Sequence, residues 1–581
     1  MTINATAPWL MALYIAVADE QGAPRAALQG TTQNDIIKEY LARGSYVYPP
    51  DASLRLTKDL ILFCARETPK WNPMNVCSYH LQEAGATPVQ ELSYALATAI
   101  AVLERVRQSG EVDEATFANV VGGMSFFVNA GMRFVTELAK MRAFVELWDE
   151  IARDRFGVAD PLKRRFRYGV QVNSLGLTEQ QPENNAYRIL IEMLSVVLSR
   201  GARARAVQLP AWNEALGLPR PFDQQWSLRL QQIMAYETDL LEFGDLFDGS
   251  QEIAALVGRL KAEAMAEIEA IDAMGGAVKA IESGVLKTRL VESNTRRLEA
   301  IESGEQIVVG VNAFMNSEPS PLTAGKNSIM VPSAEAEAQQ IGSLAAWRAA
   351  RDPASVREAL RSLRMAAASG LNVMPASIEA AKAGVTTGEW GDALRAEFGE
   401  FRAPTGVSRK ARQESSAELD ALRGEVERVS LKLGRRIKFL IGKPGLDGHS
   451  NGAEQIAARA LDAGIDAVYD GIRFTPAEIV ERAKAGVHCV GLSILSGSHV
   501  ALSEEIVSSL RKAGLGHVPV IVGGIIPPAD AERLKAAGVA AVYTPKNFEI
   551  NGILSAVVKE VEARSDSKAT LGPGGASLRA G

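Results

Sequence analysis

Residues Lys443 to Gly452 read KPGLDGHSNG and place a lysine, a carboxylate, an imidazole and three glycines within ten positions. His449 can present one ring nitrogen to a metal while Asp447, two residues earlier, holds the other; that fixes the tautomer and raises the basicity of the free nitrogen. Lys443 can in turn stabilise the Asp447 carboxylate. Gly452 removes a side chain where a bulky group has to pass close to the backbone. Taken alone, D-x-H-x-x-G also fits a glycine-rich turn carrying a solvated histidine. It is not a phosphate-binding Walker loop, because Gly442-Lys443 runs into Pro444 without the G-x-x-x-x-G-K-[ST] spacing.

The surrounding pattern says what must position this loop. Strands are predicted at Ile437 to Ile441, Ala467 to Tyr469, Val490 to Leu495, Val518 to Val522 and Ala540 to Tyr543, alternating with helices, the first of them from Ala453 to Leu461. That is a five-stranded flavodoxin-like layout, in which ligands sit beyond the carboxyl ends of the strands. Two further glycine-bearing segments, GLSILSG at Gly491 to Gly497 and VGG at Val522 to Gly524, fall at such ends.

With these three segments together, residues 431–564 resemble the cobalamin-binding domains of mutases and methionine synthases. The resemblance implies that His449 is the lower axial ligand to cobalt, in place of the cofactor's own dimethylbenzimidazole. Lys443, Asp447, Gly448, Ser450, Asn451 and Gly452 complete the loop around it. The displaced nucleotide tail would enter a slot lined by Ser493, Leu495, Gly497, Gly523, Gly524 and Tyr543.

Upstream, from residue 1 to about 225, short apolar segments alternate with amphipathic ones at a β-α spacing. Candidate strands are Thr2 to Ala5, Leu28 to Gln33, Met74 to Leu81, Met124 to Asn129, Phe166 to Asn173 and Ala204 to Leu209; helices are expected over Asn34 to Ala42, Pro88 to Ser109, Arg133 to Phe156 and Asn184 to Arg200. The fold class is therefore α/β, with a TIM-type barrel short of about two of its eight strands. An open parallel arc leaves unpaired edges and an exposed lumen, so a preceding N-terminal portion is expected. Residues 226–430 read as a helical layer and linker with a loop near Asn316 to Lys326, and residues 565–581 as a disordered tail.

The barrel region resembles the acyl-CoA mutases that use adenosylcobalamin. LQGTTQNDIIKEY at Leu28 to Tyr40, SYHLQEAGAT at Ser78 to Thr87, SFFVNAGM at Ser125 to Met132, Gln171 with LTEQQPENNAYR at Leu177 to Arg188, and GGAVKAIESG at Gly275 to Gly284 carry it. The resemblance implies a radical carbon-skeleton rearrangement of an acyl-CoA, with the thioester oriented by Gln171 and Gln208. Gln208, in QLPAWNEAL, stands where the family motif HTNxxDEA has a histidine; a glutamine donates a hydrogen bond but carries no proton charge. The chain is most similar to the ethylmalonyl-CoA branch, whose product is methylsuccinyl-CoA. Methylmalonyl-CoA or isobutyryl-CoA are the alternative substrates, and a non-catalytic cobalamin-binding protein is the alternative of another class. A homodimer and a GTPase chaperone that loads cofactor are further implications.

Composition agrees with a soluble enzyme and excludes other classes. Lys+Arg of 63 against Asp+Glu of 69 gives a net charge of −6 with no long block of one sign, so no nucleic-acid surface is advertised. The apolar 47% comes in short runs, and no membrane span is expected. Cys64, Cys77 and Cys489 are too few for a disulfide framework, which points to the cytoplasm. The N-terminus lacks the basic segment and cleavage site of a signal peptide. His80 follows Cys77 at a C-x-x-H spacing without a second pair, so a lumen-facing barrel position is the better reading than zinc. His488, His499 and His517 read as structural.

Overall fold

The structure is a computed structural model that describes residues 1–44, 47–316, 318, 320, 322, 333–407, 416–547 and 549–570. Six short parallel strands precede residue 210: β1 (Gly30–Thr31), β2 (Trp71–Asn72), β3 (Asn75–Cys77), β4 (Ser125–Ala130), β5 (Tyr168–Val172) and β6 (Val207–Gln208). Strand β1 pairs with β2, and β3-β4-β5-β6 form a continuous ladder. Strands β2 and β3 are two halves of one path interrupted at Pro73, which has no N–H for a ladder. The result is an open arc of parallel strands. The expected strand at Thr2 to Ala5 is not one. Only Met1 and Ile3 line this edge, through Gln33 N to Met1 O and Asn34 N to Ile3 O, before the chain turns at Asn4 into the helix Ala7–Glu20.

Alternation along β4 and β5 decides what faces where. Phe126, Val128, Tyr168 and Val170 are buried against the outer helices, with Phe126 edge-on to Trp148. Phe127, Asn129, Gly169 and Gln171 take the inner face, where Phe127 closes over Gly169; a Cβ at that glycine would lie 2.7 Å from the ring. The helix Pro88–Gln108 starts on a capping box, with Thr87 Oγ1 accepting from Gln90 N and Gln90 Oε1 accepting from Thr87 N. It packs with Phe134–Glu150 and Gln251–Ala273 around the arc's outer core.

The stretch expected to be one helical layer divides into three. The helices Gln251–Ala273, Ala277–Glu282 and Val285–Glu302 join the barrel core, while Pro353–Ala368, Val373–Lys382 and Thr387–Phe398 make a separate core with the N-terminal helix and with Pro50–Glu67. The helix Ala417–Leu433, expected as linker, belongs to the C-terminal domain: Leu419, Leu422, Val426 and Val429 are buried against Ile550–Thr570. That domain boundary moves from 431 to about 417. The last helix also runs past the expected break at 565, and residues 571–581 lie outside the described residues. So does most of the loop expected near Asn316 to Lys326.

The C-terminal sheet is five-stranded and parallel, with β7 (Lys438–Gly442), β8 (Asp466–Val468), β9 (Cys489–Ser493), β10 (Val520–Gly523) and β11 (Ala541–Tyr543) in the order β11-β10-β9-β7-β8. The order reverses between β7 and β9, and the crevice there is where open α/β sheets take ligands. Among the described residues, no helix is long and apolar enough to cross a membrane.

Candidate functional site

The loop after β7 delivers Lys443 and Asp447 into the crevice. Lys443 is fully buried, and its ammonium lies 2.6 Å from Asp447 Oδ2 and 3.2 Å from the carbonyl of Ser493. Asp447 Oδ2 also accepts from the backbone N–H of Leu495 at 2.9 Å, while Oδ1 accepts from the His449 backbone N–H at 3.0 Å and faces His449 Nδ1 at 2.8 Å. Burial works against ionising Asp447, but the bonds from His449 and Lys443 prevail and hold its carboxyl well below the usual carboxylate range. With a carboxylate on Nδ1, that nitrogen carries the proton and Nε2 presents its lone pair.

Beside this loop an apolar slot of about 250 Å³ opens between β7, β9, β10 and β11. Ser493, Leu495, Gly523, Gly524 and Tyr543 line it, joined by Gly452, Ala453, Gly491 and Val557. Two glycines are there because nothing larger fits. A Cβ at Gly524 would lie 1.8 Å from the carbonyl oxygen of Ile494, and one at Gly491 would lie 2.7 Å from the Phe439 ring. At Gly523 a Cβ would meet nothing within 4 Å, because that position borders the empty slot. Gly497 is a correction: it lies in the exposed turn 497–498 and does not line the slot, because the chain after Leu495 swings outward toward the helix His499–Lys512. Gly448 packs its backbone against Arg43, and Ser450 and Asn451 face the other domain.

The carboxyl ends of the barrel strands meet this loop across a cleft of about 1000 Å³, lined from one side by Gln82, Gly131, Asn173, Arg188 and Glu214 and from the other by His449, Asn451 and Leu495. The helix Val285–Glu302 joins the halves. Lys287 pairs with Glu454 at 2.8 Å with both side chains almost fully buried, Asn294 Nδ2 donates to Asn451 Oδ1 at 2.5 Å, and Asn451 Nδ2 donates to the carbonyl of Glu83 at 3.2 Å.

Gln171 and Gln208 are neighbours in the β5-β6 register, but neither lines the cleft that contains His449. Gln208 is exposed on the two-residue edge strand, so the expected polar contact there is weakly supported. The same register continues to Asn129, fully buried on β4, whose side-chain oxygen and nitrogen have no hydrogen-bond partner among the described residues. The sequence places His80 in the barrel lumen but gives no sign of a role for Asn129 or of the side chains that gather around His80. His80 Nδ1 lies 2.9 Å from Lys38 Nζ, its ring stacks on Tyr79, and Arg43 Nη1 stands 3.4 Å from His449 Nε2. Burial first, then the charges of Lys38, Arg43 and His449, push His80 far down, so it is neutral. Nothing in the spacing of Lys38, Arg43 and His80 ties them to His449; only the docking of the two domains does. The C-x-x-H pair is also explained: Cys77 is a buried strand residue.

Among the described residues, no group of three or more His, Cys, Asp or Glu side chains could hold a metal. A metal held by His449 must therefore bring its other ligands with it, and the slot next to the loop offers an apolar, glycine-walled cradle for an attached ring. These residues fit a corrin that carries its cobalt and a nucleotide tail.

Comparisons with known proteins agree with this architecture. Residues 1–400 match the family model described as methylmalonyl-CoA mutase, and residues 437–547 match a B12 binding domain. An ethylmalonyl-CoA mutase of Methylorubrum extorquens is 64% identical over 570 residues, covering 98% of this chain and 83% of the relative. An ethylmalonyl-CoA mutase of Cereibacter sphaeroides is 64% identical over 563 residues, covering 97% and 85%. A methylmalonyl-CoA mutase of Escherichia coli is 37% identical over 555 residues, covering 94% and 76%.

Proposed function

The chain belongs to the methylmalonyl-CoA mutase family, and from that premise we propose that it converts ethylmalonyl-CoA to methylsuccinyl-CoA with adenosylcobalamin bound between its two domains. The observation that carries the choice of substrate is the gap between 64% identity to relatives named for ethylmalonyl-CoA and 37% to one named for methylmalonyl-CoA. When bound, the cofactor supplies the radical chemistry of the rearrangement.

The residues of this chain then have separable tasks. His449 would hold the cofactor's cobalt through Nε2, and Asp447 and Lys443 hold its tautomer. The slot beside β10 would hold the nucleotide tail. On the barrel side the substrate offers a thioester carbonyl and a free carboxylate. Arg43 is the cation nearest the cobalt ligand and suits the carboxylate. Neutral His80, the orphaned amide of Asn129 and Gln171 beside it suit the thioester and its neighbours. Enclosing the substrate among these groups would exclude water from the reacting centre and fix its orientation. The chain acts as a homodimer in the cytoplasm, served by a GTPase chaperone that delivers cofactor; light scattering and co-purification test those two partners.

The deciding experiment is turnover of ethylmalonyl-CoA and methylmalonyl-CoA with adenosylcobalamin, with products followed by mass spectrometry. Preferential formation of methylsuccinyl-CoA is expected. Preference for methylmalonyl-CoA would reassign the substrate, and cobalamin binding without either turnover would favour a binding protein.

A further inference from the structure

Three cations line the cleft between the domains, and they differ in how they are neutralised. Arg133 is exposed to solvent. Arg188 is buried but fully engaged, donating to Thr178 Oγ1 at 2.8 Å, Asn185 Oδ1 at 2.7 Å and the carbonyl of Val309 at 2.8 Å. Arg297 is half-buried and only weakly engaged. It lines the cleft from the helix Val285–Glu302; among the described residues its one hydrogen bond is a long one, 3.4 Å, to the carbonyl of Leu175, and no carboxylate pairs with it.

The carboxylates that could have neutralised it are committed elsewhere. Glu299 and Glu302, on the same helix, lie 3.1 and 3.5 Å from Arg459 of the C-terminal domain, and Glu302 also accepts from the backbone N–H of Ile550. Burial alone lowers the Arg297 pKa, with no opposing charge to raise it. A half-buried guanidinium with no carboxylate partner and most of its donors open to the cleft is available to an acceptor that enters it.

We propose that Arg297 is a cofactor-binding residue, donating to carboxamide or phosphate oxygens on the periphery of the bound cobalamin. The cleft it lines is the one that contains His449, Asn451, Gly452 and Leu495, so its guanidinium and the cobalt ligand share one chamber. The same oxygen chemistry is offered by the phosphates of a CoA ester, and the test separates the two. This inference rests on the assignment of the cleft to cobalamin.

The test uses the purified full chain carrying Arg297→Met, with Arg297→Lys as a second variant that keeps the charge. Hydroxocobalamin is titrated and followed by its visible spectrum, desulfo-CoA is titrated by calorimetry, and the thermal midpoint is measured without ligand. Arg297→Met is expected to weaken cobalamin binding about tenfold or more, in line with loss of charge-assisted hydrogen bonds. Desulfo-CoA binding is expected to stay unchanged and the unliganded thermal midpoint to stay equal or rise, because an unneutralised cation is removed. Arg297→Lys should bind with intermediate affinity. Equal cobalamin affinity in wild type and Arg297→Met overturns the proposal, as does a loss confined to desulfo-CoA. Failure of the wild type to bind cobalamin at all sinks the cleft assignment together with it, whereas wild-type binding with an unaffected variant sinks this proposal alone.

Discussion

Replacing Asp447 with asparagine removes one charge and almost no volume, so its effects read the hydrogen-bond relay rather than packing. The carboxylate accepts from four donors: the Lys443 ammonium, the Leu495 N–H, the His449 N–H and the His449 ring. An asparagine oxygen can keep only one side of that set. If it stays toward Lys443 and Leu495, the new NH2 faces His449, and the ring must present Nδ1 as an acceptor and move its proton to Nε2. The nitrogen meant for cobalt is then blocked. If the oxygen turns toward His449, the NH2 meets the Lys443 ammonium, leaving a fully buried cation with the Ser493 carbonyl alone. Loss of a partner for His449 is expected to cost about 10–100-fold in metal affinity, and stranding Lys443 about 3 kcal/mol of stability. Visible absorption during titration with hydroxocobalamin reports ligation by histidine, and calorimetric melting reports stability. Changing Lys443 to methionine in the same chain should restore much of the stability and none of the ligation. Ligation within twofold of wild type in Asp447→Asn would refute the tautomer argument.

Other consequences follow from single contacts. Lys287→Met should loosen the junction between the domains by about 3 kcal/mol, because it leaves Glu454 buried and unpaired, and the double variant Lys287→Met, Glu454→Leu should recover most of that loss in melting experiments. Gly524→Ala should abolish cobalamin binding and destabilise the C-terminal domain, whereas Gly523→Leu should fill the slot, leave the melting temperature near wild type and weaken cobalamin binding in titration. Glu389, held down to about 2 by Arg351 and by its capping contacts with Thr386, should contribute on the order of 1–2 kcal/mol. Its folded pKa is depressed, so this stability is present above pH 4.5 and is lost as pH falls toward 2. Arg351→Met should flatten that part of the acid-melting profile.

The C-terminal domain was the more legible half because its information is local. Each strand is a short apolar run ended by glycine or a polar loop, and the residues that make the relay sit within seven positions of one another, from Lys443 to His449. The slot lining came from the family resemblance, and Ser493, Leu495, Gly523, Gly524 and Tyr543 do border one apolar slot while Gly497 does not. The barrel half stores its site non-locally. Arg43, His80 and His449 are separated by up to 406 residues and meet only after two domains dock. The first strand failed for a different reason: Thr2 to Ala5 has an apolar, β-compatible pattern, but Pro8 and Trp9 start a helix so soon that only two residues can reach the sheet edge.

The bond between Asp447 Oδ2 and the N–H of Leu495, with Lys443 reaching the carbonyl of Ser493, bears on transplantation. The histidine's orientation is set by two strand ends, so copying KPGLDGH onto another five-stranded domain would move the ligand without the frame that aims it. A successful graft would have to carry the end of β9 as well, and the spacing between β7 and β9 would decide whether the imidazole points at a metal or into solvent.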